Sequence, residues 1–222
     1  MIWALSLNTD NGRDAKRWCF RKEFGAERHW DKFVVALDTR QDPKFDDGDR
    51  KASRRYLQDG YLPLIHVEWN NGPLHYHHAL VATILLGDYG DDVTRRGDET
   101  VVLLSKLEIT NTADTAEPAI LNLRYAADTR LTLRDDGAIV SEPSAPASGA
   151  VPLYGQISMD KPSAGGAAGW AVLPQNESEP SSILRWQETL KPKQTRLVYF
   201  KTPLVQLLDS DELARLQTIS FE

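Results

Sequence analysis

A single cysteine, Cys19, stands in the 222 residues, so no intrachain disulfide and no cysteine-based metal site can form. Long apolar runs are missing as well. None approaches the ~18 residues of a membrane-spanning helix. The apolar opening Met1-Ile2-Trp3-Ala4-Leu5-Ser6-Leu7 is short and has no basic segment of the kind that starts a secretory signal. A soluble chain with no membrane partner is expected, with the cytoplasm favoured. Concentrated positive charge is also lacking. The net charge is −6, and the excess of Asp and Glu lies beyond residue 60, which argues against a nucleic-acid partner. The Arg50-Lys51…Arg54-Arg55 cluster reads as a solvated turn or helix face.

Several catalytic signatures are absent. There is no Gly-x-Ser-x-Gly, no Gly-rich phosphate loop and no metalloprotease helix motif. The Asp46-Asp47-Gly48-Asp49 and Asp91-Asp92 stretches lack the spacing of a calcium loop with its distant bidentate Glu, and read as surface turns.

What is present is a succession of strand-length apolar segments punctuated by turn residues. Leu62 to Leu86 reads as a hairpin around Asn70-Asn71-Gly72-Pro73, where Asn and Gly accept positive φ and Pro fixes its own. Gly97 to Leu123 reads as two strands joined by a polar turn. Ile183–Leu190 and Thr195–Phe200 flank Lys191-Pro192-Lys193-Gln194 as another hairpin. Residues 141–169, rich in Pro, Ser, Ala and Gly, read as a mobile insertion around one short strand. The end changes character: Asp209 is placed to cap a helix with Glu212 as reciprocal partner, and Leu213, Leu216 and Ile219 form an apolar stripe. The expected fold is all-β, a large antiparallel β-sandwich over residues 1–207, followed by a short C-terminal linker helix over 208–222.

Three constellations could carry chemistry. His75 and His77 share one strand face while His78 points the other way; a metal held by the pair would need His66 or Glu68 from the facing strand. Incidental His clusters outnumber true sites, so no metal and no cofactor is expected. Glu68 lies in an apolar strand, where burial could raise its pKa, although an exposed-face Glu is the more common arrangement. Trp69 and Tyr76, on opposite arms of the Leu62–Leu86 hairpin, could present an aromatic platform to a sugar ring, with core packing as the alternative.

Asp59-Gly60-Tyr61-Leu62-Pro63, the strand to Trp69, the return strand Tyr76 to Thr83 and Gly97-Asp98-Glu99-Thr100-Val101-Val102-Leu103 occur in that order. Thr110-Asn111-Thr112 and Leu190-Lys191-Pro192-Lys193-Gln194-Thr195 follow. In this order they resemble the N-terminal super-sandwich domain of (α/α)6-barrel, six-hairpin glycosidase-like proteins. The resemblance implies a non-catalytic accessory domain of a carbohydrate-active protein, partnered by a catalytic helical barrel in the same or a separate chain and by oligo- or polysaccharide. The family's catalytic acids belong to the barrel, so no catalytic residue is expected here. The alternative is a stand-alone carbohydrate-binding module with Trp69, Tyr76 and His75 as its contact face; a small metalloenzyme built on His75 and His77 ranks below it.

Overall fold

The computed structural model describes residues 5–7, 17–20, 33–43, 54–86, 100–126, 131–141, 153–160, 169–173, 182–203, 207 and 210–221. The first seven strands are β1 (Leu5–Leu7), β2 (Arg17–Phe20), β3 (Phe33–Asp38), β4 (Arg54–Gln58), β5 (Leu62–Asn71), β6 (Leu74–Ile84) and β7 (Val101–Asn111). The rest are β8 (Glu117–Ala126), β9 (Leu131–Leu133), β10 (Ala138–Ser141), β11 (Leu153–Met159), β12 (Trp170–Val172), β13 (Ser182–Leu190) and β14 (Thr195–Pro203), followed by helix α1 (Ser210–Thr218). They form a six-stranded sheet, β1-β2-β3-β8-β13-β12, and an eight-stranded sheet, β4-β5-β6-β7-β14-β11-β10-β9, antiparallel throughout. The chain is therefore the all-β sandwich with a short C-terminal helix that its patterning predicts.

One apolar core joins the sheets. Val67, Trp69, Tyr76, Leu80, Leu107 and Phe200 of the larger sheet meet Leu121, Leu123, Leu184, Trp186 and Leu190 of the smaller. Each such side chain contributes roughly 1.5–3 kcal/mol on removal from water. Strand periodicity sets the arrangement: in β6, Leu74, Tyr76, His78 and Leu80 point inward, and His75 and His77 point outward.

β7 is apolar on both faces in its first half because the outer face is also covered there. Val102 and Leu104 join Leu85, Val140, Leu153, Leu216 and Ile219 in a second core beneath α1. Thus Leu216 and Ile219 of the expected stripe are buried and Leu213 packs against them. Buried Lys201 fixes the far end of α1: its Nζ donates to the carbonyls of Leu216 (2.9 Å) and Gln217 (3.0 Å), which have no partner within the helix. Burial lowers the Lys201 pKa to about 8. Glu212 accepts a hydrogen bond from Thr100, the residue before β7, so the helix start is tied down as well; Asp209 lies outside the described residues.

Two expectations need correction. Although β13 and β14 are joined by the short segment 191–194, they do not pair. β13 lies between β8 and β12, and β14 between β7 and β11, so the connection is a corner that carries the chain from one sheet to the other. The β7–β8 connection crosses in the same way. Strand patterning identifies the strands but not whether a short turn folds them flat or arches them across a core. The strand expected in the apolar island within 141–169 is β11, an internal strand of the larger sheet whose Ile157 is fully buried; residues 142–152 and 161–168 lie outside the described residues. Arg54 and Arg55 lie on the edge strand β4 rather than on a turn or helix, where exposed charge guards an open edge. The Asp46–Asp49 and Asp91-Asp92 stretches lie outside the described residues.

Fully buried Asn111 ties both corners together. Its Nδ2 donates to the carbonyls of Thr115 (2.8 Å), Leu190 (3.0 Å) and Lys191 (3.1 Å), and its Oδ1 accepts from the Ala113 amide (2.9 Å). Next to it, the Thr112 amide and hydroxyl both donate to the Pro73 carbonyl, at 2.9 and 2.6 Å. The turn of the β5–β6 hairpin, where Gly72 takes φ 58, is thereby joined to the same knot.

Candidate functional site: a polar ladder on the outer sheet face

The outer face of the larger sheet, away from α1, carries a chain of side chains from four adjacent strands. The β4–β5 register sets Arg54 opposite Glu68 and Tyr56 opposite His66; the β5–β6 register sets Glu68 opposite His77; the β6–β7 register sets His77 opposite Glu108. Neighbouring Cβ atoms on one sheet face are about 5 Å apart, so these groups must interact. The rings of Tyr56, His66 and His77 stack in sequence, with centroids 4.8 and 5.1 Å apart. The Arg54 guanidinium lies 4.7 Å from the Tyr56 ring centroid.

The ladder is also hydrogen-bonded. His66 Nε2 contacts Gln58 Oε1 at 2.9 Å and His66 Nδ1 contacts His77 Nε2 at 2.9 Å, while His77 Nδ1 lies 3.5 Å from Glu108 Oε2. Lys106 Nζ closes the row 3.2 Å from Glu108 Oε1. Alongside, the Tyr56 hydroxyl donates to Glu68 Oε1 at 2.6 Å. That bond lowers the Glu68 pKa, aided by the positive charges nearby, and raises that of Tyr56. Glu68 is therefore an ionised, outward-facing carboxylate: burial pushes its pKa up, but the Tyr56 bond and the nearby positive charge outweigh it. Burial lowers the His66 pKa, with His77 adding to the effect.

The aromatic contact face expected from the hairpin is corrected. Trp69 and Tyr76 do oppose each other and stack, with centroids 5.1 Å apart, but they are only 7% and 0% exposed and belong to the inner core. Alternation places them on the sandwich side of β5 and β6, so no sugar ring can reach them. His75 is on the other face, where Nδ1 meets Asn70 Oδ1 at 3.0 Å. The three residues share no surface. His78 points inward as expected, and burial drives its pKa down to about 3.

His75 and His77 do share a face, but His77's close imidazole neighbour is His66 across the strand pair. Among the described residues, no three His, Cys, Asp or Glu groups are gathered as a ligand set. Tyr56, Gln58 and Glu108 were not singled out from sequence. Glu108 stood within a recognised strand, where its outward parity was legible; Tyr56 and Gln58 were masked by the basic run before them, which resembles a loop. No helix among the described residues is long and apolar enough to cross a membrane. Compared with known proteins, the sequence matches no family model and no curated sequence.

Proposed function

We propose that this chain is the non-catalytic accessory β-sandwich of a carbohydrate-active protein, of the glycoside-hydrolase class, packing against a catalytic (α/α)6 barrel in the same parent chain or a separate one. It would work in the cytoplasm, where its loops help wall the cleft for an oligo- or polysaccharide. The observation that carries this reading is the knot at Asn111. The Thr110-Asn111-Thr112 segment and the Leu190–Thr195 connection are two of the segments on which the resemblance rests; they are bonded to each other at one end of the sandwich, and Thr112 also bonds Pro73 in the turn between two further ones. Motifs that are weak singly gain weight when their order in the chain corresponds to one physical junction. The stand-alone module, by contrast, loses the contact face assigned to it, since Trp69 and Tyr76 are core residues.

The test is the reading frame of the gene beyond the Glu222 codon, together with capture of partners by the endogenous chain. Continuation into a long series of helical hairpins, or co-purification of a separate helical-barrel protein, supports the reading. A stop codon with no such partner overturns it.

A further inference from the structure

His66 Nδ1 and His77 Nε2 lie 2.9 Å apart with ring centroids at 5.1 Å, so the two nitrogens point at each other along one N–H···N bond. One hydrogen must occupy that bond. The outer nitrogens both face acceptors. Gln58 Nε2 donates to the Asp59 carboxylate at 3.1 Å, which turns Oε1 toward His66, and that carbonyl oxygen draws a hydrogen to His66 Nε2 at 2.9 Å. Glu108 Oε2, 3.5 Å from His77 Nδ1, draws another. The chain from Gln58 to Glu108 therefore has places for three hydrogens, and two neutral rings bring two.

We infer that His66 and His77 are one proton-binding site: the pair takes up a single proton, shared across the N–H···N bond, and the charged pair clasps edge strand β4 to the sheet. Its charge is met on both sides. Glu68 of β5 and Glu108 of β7 each lie opposite His77 in register, so two carboxylates flank the pair. Arg54 of β4 lies opposite Glu68, and Lys106 Nζ of β7 is 3.2 Å from Glu108, so each neighbouring cation is already matched to a carboxylate. The Tyr56 hydroxyl hydrogen is committed to Glu68, and His75 of β6 is bonded to Asn70. A second proton is opposed, because burial and the charge of His77 both lower the His66 pKa. Gln58 is the last residue of β4, which pairs with β5 alone. Once the pair is charged, the bond from His66 Nε2 to Gln58 Oε1 is charge-assisted and stronger. Proton uptake thereby tightens the open edge of the larger sheet, a property that does not depend on the glycan reading.

The experiment is an NMR titration of the imidazole nitrogens in the full chain, with hydrogen exchange of the β4 amides followed at the same pH values. From about pH 8 to 5, where imidazoles titrate, His66 and His77 should move together with one midpoint and one proton between them. Exchange in β4, corrected for its intrinsic pH dependence, should slow about fivefold as the bond to Gln58 becomes charge-assisted. His77→Gln, at a position a quarter exposed, should abolish the joint titration. Gln58→Ala should keep the joint titration and cancel the pH response of β4, and His75→Gln should change neither. Circular dichroism checks that each variant is folded. Two separate midpoints with one proton each, or rings that stay neutral throughout that range, overturn the inference. The second result is what a reversed Gln58 amide, donating to His66 at the expense of Asp59, would produce. Joint titration with β4 exchange unmoved overturns the clasp.

Discussion

His77 and His78 are neighbours in the chain but belong to opposite faces of the sheet. His77 stands on the outer face, stacked on His66 and within reach of Glu108. His78, one residue on, is 4% exposed in the sandwich interior, opposite Val67 on β5 and Leu107 on β7. The half-turn between successive strand residues decides whether an imidazole can meet solvent and ligands or serves as packing. The same division separates Tyr56 from Tyr76: one is a rung of the exposed ladder, the other a fully buried core ring.

The largest effect expected from this division is at Tyr76. Tyr76→Ala removes a buried ring stacked on Trp69 and should cost about 4 kcal/mol, read by chemical denaturation. Tyr56→Ala on the outer face should cost no more than about 1 kcal/mol. Equal losses would break the two-face description. Asn111→Ala follows. It leaves the Thr115, Leu190 and Lys191 carbonyls without their shared donor, at about 3 kcal/mol. A loss below about 1 kcal/mol would show that the two corners hold without it.

The third effect is acid sensitivity through His78. Its pKa lies at about 3 in the fold against 6.5 unfolded, so between these values the unfolded chain binds the additional proton. Stability from the neutral ring is therefore complete above pH 6.5 and is lost as pH falls through that window, by about 2 kcal/mol between pH 6.5 and 5. Denaturation midpoints at several pH values in wild type and His78→Leu measure it. An unchanged acid slope in the variant would assign the sensitivity elsewhere.

Much of the fold was legible because one buried face imposes a period of two. Leu62–Leu86 declared its strands and its turn, and Leu213, Leu216 and Ile219 declared the covered side of α1. What was not legible is what depends on partners distant in sequence. Nothing local to Lys191-Pro192-Lys193-Gln194 tells an arch from a hairpin, because the distinction lies in whether β13 pairs with β14 or with β8. The candidate site failed for a related reason. Trp69 and Tyr76 are aromatics in a hairpin, yet Tyr76 shares its parity with core Leu74 and Leu80 on β6, and Trp69 shares its own with core Val67 on β5, which places both inside. The ladder needs the registers of β4, β5, β6 and β7 at once, and a sequence shows only the residues along each strand.

The smallest effect sharpens the outer face most. Tyr56→Phe keeps the ring and its stacking on His66 but removes the donor to Glu68 Oε1. The stability change should stay below about 1 kcal/mol, because Glu68 is open enough to solvent to be rehydrated. The Glu68 titration, followed by carboxyl NMR, should instead rise toward the ordinary carboxylate range, since the phenol bond is the main cause of its depression. A depressed folded pKa stabilises above the unfolded value of about 4.3 and is lost as pH falls through the folded one, so the variant should lose a small part of its acid dependence in that range. If Glu68 titrates unchanged without the hydroxyl, Arg54 and the histidines hold the carboxylate by charge alone, and the ladder is an electrostatic cluster rather than a hydrogen-bonded one.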